Sequence, residues 1–149
     1  MKNRVRKLRK IARYFEQKKL LSVVELQKAS SRRNMEENIL ESLYLKKNEF
    51  FLESIPQEGE RLNIEEMKRF RGGKDHFDRR ITLQKSSVLT AIRDEHGRRE
   101  SVVNDSITHK IWEKVVSSSE SDLMKHLEVV RSRVADDLAL VHAYQNKNR

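Results

Sequence analysis

The chain has 149 residues, which is enough for one domain of ordinary size. Charged residues make up 37% of it and the hydrophobic class 36%, below the roughly 45–50% apolar content of a compact globular domain. The apolar residues therefore suffice for a seam between helices and not for a broad core. The absence of cysteine excludes disulfide bonds and thiol chemistry. No apolar run approaches the roughly 18–20 residues that cross a bilayer, so we expect a cytoplasmic chain without membrane insertion.

The net charge of +9 is concentrated at the start of the chain. Residues 1–19 hold nine basic side chains and one acidic side chain, so this segment carries +8 of the total. The basic side chains are those of Lys2, Arg4, Arg6, Lys7, Arg9, Lys10, Arg13, Lys18 and Lys19. The rest of the chain is close to neutral, and the basicity therefore belongs to one end.

The first long segment has the 3/4 spacing of a coiled-coil seam, and it contains no proline or glycine. Nine of the fourteen seam positions are apolar, and we predict one helix over residues 4–52, about 70 Å long. The polar pair Lys19 and Ser22 is flanked by leucines and valines, which predicts that the stripe shifts there. The seam positions are Val5, Leu8, Ala12, Phe15, Lys19, Ser22, Leu26, Ala29, Arg33, Glu36, Leu40, Leu43, Lys47 and Phe50.

Residues 53–63 contain the chain's one proline and are predicted to reverse its direction. Pro56 cannot continue a helix because it lacks the N–H group. Gly59 can adopt the backbone conformations that a tight turn requires. This reversal therefore joins the two predicted helices.

A second helix is predicted over residues 64–144, with Asn63 as its N-cap and acidic residues in its first turn. Glycines near 72–73 and at 97, and a serine cluster over 117–121, are places where it could kink. The tail after 144 is expected to fray. The predicted apolar stripe is Met67, Phe70, Phe77, Ile81, Val88, Ala91, Val102, Ile107, Ile111, Val115, Leu123, Leu127, Val130, Val134, Leu138 and Val141.

Together these elements predict an all-α fold, an elongated antiparallel two-helix coiled-coil hairpin with the second helix longer than the first. We treat residues 1–149 as a single coiled-coil domain. Pairing from the turn brings Val5 opposite roughly Ile111. Whether the segment after Trp112 stays paired, overhangs or folds back is left open by the sequence.

The polar residues show no pattern of catalysis or metal binding. The five histidines form no pair at i, i+4, no cysteine completes a metal site, and Gly72-Gly73 lacks the Lys-Ser/Thr of a phosphate-binding loop. We expect no catalytic residue, no cofactor and no metal, and hence a protein that is not an enzyme.

Two features could bind partners. The basic start is compatible with a solvated helix end, with nucleic-acid binding through phosphate contacts, or with docking into an acidic protein surface. Near the turn, Tyr44 and Phe51 lie seven residues apart, as do Phe70 and Phe77. These aromatics either pack on one another or remain exposed as a partner-binding patch.

Several short patterns resemble a known family. They are the basic start with Leu8-Arg9-Lys10-Ile11, the run Leu43…Asn48-Glu49-Phe50 before the turn, Phe70 placed eleven residues before Ile81, and Asp136-Asp137-Leu138 before a polar tail. In layout and in these patterns the chain resembles the stalk proteins of type III protein export, the FliJ proteins of flagella and the YscO proteins of injectisomes.

The resemblance implies an antiparallel coiled coil whose terminal ends enter the hexameric export ATPase ring. It also implies that the hairpin tip contacts the cytoplasmic linker of the export-gate membrane protein. Carried over by motif, the gate contact falls on Leu43, Lys46, Phe50 and Phe77. Carried over by position alone, the ATPase contact falls on Arg4, Arg6, Lys7, Asp137 and His142.

The leading hypothesis is therefore a non-catalytic stalk or adaptor, cytoplasmic and peripheral to the inner-membrane export apparatus, with export chaperones as further candidate partners. Nucleic acid is not an expected partner of such a stalk. The alternative is a basic helical nucleic-acid-binding accessory protein, and a third hypothesis is a scaffold or chaperone whose seam accepts a partner helix. The sequence leaves open whether the export system is flagellar or an injectisome.

Overall fold

The computed structural model describes residues 1–61 and 63–147, and within these residues the chain forms two helices and no strand. Helix α1 spans Lys2–Ser54, and helix α2 spans Ile64–Lys147. The prediction of an all-helical fold with a longer second helix is confirmed. The tail after residue 144 was expected to fray, but α2 is helical up to Lys147. Residues 148 and 149, the rest of that tail, lie outside the described residues.

The connection between the helices contains a tight turn centred on Gly59. The Glu60 N–H donates to the Gln57 carbonyl oxygen at 3.0 Å, and Gly59 has φ = 96°. A side chain would make this left-handed backbone conformation costly, which explains the glycine. Leu62, within the predicted turn, lies outside the described residues.

Helix α2 begins with a reciprocal cap. The Asn63 side-chain oxygen accepts a hydrogen bond from the Glu65 N–H at 3.4 Å, and a Glu66 carboxylate oxygen accepts one from the Asn63 N–H at 3.2 Å. This arrangement satisfies backbone donors that have no partner inside the helix. The predicted N-cap is therefore confirmed, and the cap marks the point at which α2 starts.

The described residues form two compact units, each built from a segment of α1 packed on a segment of α2. Residues 22–102 form the turn unit, and residues 1–21 together with 103–149 form the terminal unit. Helix α2 is continuous over 72–73, 97 and 117–121. It contains no proline, so its backbone hydrogen-bond donors are not interrupted.

In the turn unit, small and branched apolar residues from both helices form a narrow core. Polar pairs flank this core, and later residues of α1 meet earlier residues of α2. The pairs are Lys47 with Asp78, Glu36 with Gln84, and Arg33 with Glu95. The buried apolar residues are Ala29, Leu43, Ile81, Val88 and Ala91.

In the terminal unit, one aromatic pair joins the helices. The rings of Phe15 and Trp112 stack with their centroids 5.8 Å apart and 8° between their planes. Val5 is buried. Two ion pairs flank these contacts, Lys18 with Asp105 at 3.5 Å and Arg9 with Glu120 at 2.6 Å. Here too, earlier residues of α1 meet later residues of α2.

The packing face of α1 follows the predicted seam without a shift. All fourteen predicted positions are buried or half-buried. Leu20 and Leu21, towards which a shift was expected, are 57% and 67% exposed. The expected shift is therefore wrong, because the 3/4 spacing of one continuous helix keeps Lys19 and Ser22 on the face that packs.

The predicted stripe of α2 is wrong over part of its length. Ile107, Ile111 and Val115 are 53%, 54% and 37% exposed. The 3/4 spacing that begins at Phe77 instead leads to half-buried residues, several of them polar or amphipathic. These are Asp105, His109, Trp112 and Val116. Helical register decides the packing face here, and local hydrophobicity does not.

A buried carboxylate lies in the middle of the turn unit. Glu95 is 3% exposed, and its two oxygens lie 2.9 Å from Arg33 Nη1 and 2.8 Å from Arg99 Nη2. Arg33 Nε is 3.7 Å from Glu37, within ion-pair range but too far for a hydrogen bond. A buried charge persists only when it is paired, so the contact of Glu95 with Arg33 of α1 favours one register of the two helices, while Arg99 pairs with Glu95 within α2.

We expect Glu95→Ala to lower the free energy of unfolding by about 2 kcal/mol, because Arg33 loses the carboxylate that compensates its desolvation. The figure is below the usual cost for a buried pair because the Arg33 side chain remains 31% exposed and can regain water. Urea unfolding followed by circular dichroism measures this change. The double variant Arg33→Leu/Glu95→Leu should be close to wild type. An equal loss in both proteins would show that the unpaired Arg33 charge does not set the cost.

Candidate functional site

Four phenylalanines from both helices form an aromatic cluster beside the turn, defined by Phe50, Phe51, Phe70 and Phe77. Phe50 is central: its ring centroid lies 6.0 Å from that of Phe70 and 5.6 Å from that of Phe77. Phe51 lies 5.4 Å from Phe70 at an interplanar angle of 55°. Such offset and tilted pairs each stabilise by about 0.5–1.5 kcal/mol beyond their buried area. The cluster therefore fastens the two helices together next to the turn.

Gly73 makes room for the central ring of this cluster. A Cβ atom at position 73 would lie 2.7 Å from Cε1 and 2.8 Å from Cε2 of Phe50. A Cβ atom at Gly72 would meet nothing within 4 Å. The glycine pair that the sequence marked as a weak point in the helix is thus two different positions, one open and one in close contact.

Lys47 links the aromatic cluster to a carboxylate on α2. Its Nζ donates a hydrogen bond to Asp78 Oδ1 at 2.6 Å and lies 5.5 Å from the centroid of the Phe51 ring. The hydrogen bond from Lys47 holds the pKa of Asp78 below its ordinary value, and the positive charges of Lys47 and Lys74 act in the same direction.

An open groove of about 1300 Å³ lies at the turn, lined by residues from the end of α1, the connection and the start of α2. Three of its apolar lining residues are well exposed, Ile55 at 63%, Ile64 at 70% and Met67 at 56%. Charged side chains of both signs line it as well, and basic ones are in excess. The basic residues are Arg61, Lys68, Arg69, Arg71 and Lys74, and the acidic residues are Glu53, Glu60 and Glu66. Apolar surface bordered by a net positive charge is suited to an acidic, amphipathic segment of a protein partner. We call this surface the turn groove.

The residues assigned to the gate contact occupy different environments. Leu43 is 5% exposed and belongs to the core, whereas Lys46 is exposed. Phe50 and Phe77 come together within the aromatic cluster and are half-buried. Of these four, the structure brings Phe50 and Phe77 together, and only Phe50 also lines the turn groove.

The sequence reasoning did not assign the most exposed large apolar residues of the turn groove to a partner contact. Ile55 and Ile64 flank the turn, and Met67 lies one turn into α2. Ile55 and Ile64 border a proline-containing turn and occupy no seam position, and large apolar residues are uncommon in turns, so the two could have indicated a binding surface. Met67 was not considered for such a surface because it had been assigned to the seam.

The residues assigned to the ATPase contact all lie in the terminal unit. Arg4, Arg6 and Lys7 are exposed in the first turns of α1. Asp137 and His142 are exposed in the last turns of α2. Every described side chain from 128 to 146 is exposed, so nothing in the described chain folds back over this segment.

Two classes of site are not found among the described residues. No group of three or more His, Cys, Asp or Glu side chains is arranged to hold a metal ion in the part of the chain that the structure describes. Neither described helix has a stretch long and apolar enough to span a bilayer.

The chain matches no protein-family model, no curated protein and no solved structure. The geometry of the groove, the cluster and the terminal segment therefore has to support any proposal about function.

Gly72→Ala and Gly73→Ala form a matched pair of substitutions. We expect Gly72→Ala to raise the free energy of unfolding by about 1 kcal/mol, since alanine is the better helix former and the site is open. Gly73→Ala should lower it by about 1 kcal/mol, because displacing the packed Phe50 ring costs more than the helix gains. Chemical denaturation of both variants tests this. Equal stabilisation by the two alanines would mean that the ring moves aside freely.

Lys47→Met should raise the pKa of the Asp78 carboxyl towards its ordinary value of 3.8, because the variant removes the hydrogen bond that lowers it. Since the pKa of Asp78 is depressed in the folded chain, its stabilising contribution is present above pH 3.8 and is lost as the pH falls through the lowered pKa. Titration of the side-chain carboxyl by nuclear magnetic resonance measures the shift. Lys46→Met is the control, and a shift of the same size in that variant would indicate a general charge effect.

Proposed function

We propose that the chain is a non-catalytic stalk or adaptor of a bacterial type III protein export apparatus, flagellar or injectisome. In this proposal the two helices form an antiparallel coiled-coil hairpin. The chain ends bind the hexameric export ATPase ring, and the turn binds the cytoplasmic linker of the export-gate membrane protein. The protein is cytoplasmic and peripheral to the inner membrane, and export chaperones are further candidate partners.

The observation that carries the proposal is the order of contacts between the helices. In the turn unit Lys47 meets Asp78 and Arg33 meets Glu95, and in the terminal unit Lys18 meets Asp105 and Arg9 meets Glu120. Within each unit, this order is the one that antiparallel helices produce. The 3/4 spacing of the packing faces supports a coiled coil. This is the architecture that the resemblance to the export stalk proteins implies.

The turn groove supports the contact with the gate linker. Its apolar residues Ile55, Ile64 and Met67 are exposed, and its charged lining residues are basic in excess over acidic. The aromatic cluster beside it, with Phe50 and Phe77, gives the groove a rigid support. We therefore assign direct contact to the exposed groove residues, and we assign to Phe77 the role of holding the cluster in place.

The exposed chain ends support the contact with the ATPase ring. Arg4, Arg6 and Lys7 present a basic surface, while Val5 between them is buried against α2. A basic surface on a paired helix can enter an acidic protein opening without unfolding. Asp137 and His142 remain assigned to this contact by their place near the other chain end.

A basic nucleic-acid-binding accessory protein remains the second candidate. The exposed basic side chains of residues 1–19 favour it, since phosphate neutralisation requires no more than such a cluster. The two candidates differ in which surface matters. Nucleic-acid binding would depend on the basic start and would not depend on the turn groove.

The decisive experiment measures two bindings in parallel, that of the purified chain to the cognate hexameric export ATPase and that to the gate linker. We expect both to bind wild type. Ile64→Asp and Met67→Asp should each weaken linker binding by at least about tenfold, because they place a charge in the apolar floor of the groove. Binding to the ATPase should be unchanged.

Leu83→Asp is the matched control. Leu83 is 71% exposed on the same helix and lies outside the groove, so it should leave both bindings intact. Binding to neither partner, together with binding to duplex DNA that falls steeply with salt, would reject the stalk and favour the nucleic-acid candidate.

A further inference from the structure

The last five turns of α2 carry an apolar stripe that nothing in the described chain covers. In the terminal unit Leu123 and Leu127 are half-buried, but every described side chain from 128 to 146 is exposed. Val130 is 42% exposed and Val134 is 52% exposed. The stripe continues the 3/4 spacing of the α1–α2 interface past the point where α1 begins. The packing face of α2 is therefore longer than the helix available to cover it.

The flanking charges favour a water-exposed helical partner over a membrane surface. A helix that lies on a membrane has a polar face dominated by lysine and arginine. Here Arg131 and Arg133 are followed by Asp136 and Asp137, so the segment has both signs in close succession. Charges of both signs beside a narrow apolar stripe are typical of helix–helix pairing.

The spacing of the stripe is the same when it is read in either direction. Leu127, Val130, Val134, Leu138 and Val141 are separated by three, four, four and three residues. At about 100° per residue, all five lie within about 40° of the direction of Val134. An antiparallel copy of this segment, centred on Val134, places Leu127 opposite Val141 and Val130 opposite Leu138. Every apolar residue then meets an apolar residue.

The charges beside the stripe are complementary under the same symmetry. Arg133 and Asp137 lie on the same side of the stripe, about 100° and about 60° from Val134. A two-fold axis through Val134 places Arg133 and Asp137 of the second copy on the same side of the interface as those of the first copy. Along the helix axis, the two residues of the second copy follow in the opposite order. Arg133 of one copy then lies beside Asp137 of the other, and the symmetry makes this pair twice.

We infer that residues 127–141 are a self-association surface, which pairs antiparallel with the same segment of a second copy of this chain about a two-fold axis at Val134. The inference does not depend on the proposed function. If both hold, dimerisation and binding of this chain end to the ATPase ring are mutually exclusive, because the dimer covers Asp137.

The experiment is sedimentation velocity of the full-length chain alone, at concentrations from about 1 µM to about 1 mM. A short interface predicts reversible dimerisation within this range. Val134→Asp should abolish it, because the two-fold axis places the two new carboxylates against each other. Ser132→Asp, which adds the same charge on the opposite face of the helix, should dimerise like wild type. Val134 is exposed in the single chain, so circular dichroism should show unchanged helical content.

Charge reversal tests the direction of pairing. Arg133→Asp alone and Asp137→Arg alone should each weaken dimerisation by about tenfold, since each variant places like charges together twice. An equimolar mixture of the two variants should dimerise again, because each new charge then meets its opposite on the other chain. A parallel pair would show no such rescue, since it places these two positions on opposite sides of the interface.

Three results would overturn the inference. The first is a wild-type chain that is monomeric at every concentration. The inference is overturned by that result even if the segment is then found to bind the export ATPase. The second is a dimer that survives Val134→Asp. The third is a dimer lost in both charge variants and not recovered in their mixture, which would reject the antiparallel arrangement.

Discussion

The packing of one narrow face of α1 against one narrow face of α2 is the constraint on which the other features depend. The apolar content of 36% leaves no material for a second layer, so each unit has to be held by a single seam. Within that seam even polar residues such as Lys19 and Ser22 are kept on the packing side. Helical periodicity, once both helices are long and continuous, outweighs the preference of any single side chain.

The seam includes charged groups, and this affects its register more than its strength. Glu95 is buried between two arginines, and Lys47 joins Asp78 beside the aromatic cluster. Paired buried charges contribute little net stability compared with apolar packing, but an arrangement that leaves one of them unpaired is costly. The Glu95–Arg33 pair therefore penalises sliding of one helix along the other, because sliding would remove the buried Glu95 carboxylate from its partner on α1.

The surfaces that the seam does not use are the ones that can serve function. The turn groove and the stripe after Leu127 are apolar, exposed and bordered by charge. The residues best buried, such as Leu43, are the least able to meet a partner directly. A role for the aromatic cluster is accordingly one of support, in which the Phe50 ring packs closely against Gly73 beside the turn. This division between seam and free surface is what an adaptor with two binding regions requires.

The sequence alone was sufficient for the two helices, the longer second helix, the Asn63 cap and the seam positions of α1, although the expected shift of that seam at Lys19 and Ser22 was wrong. These depend on local chemistry and on periodicity, which are properties of neighbouring residues. It did not determine that α2 packs through Trp112 and His109 and leaves Ile111 exposed, or that Gly73 receives the ring of Phe50. Those outcomes depend on which residue of the other helix stands opposite, and that pairing of distant positions exists only once the chain has folded.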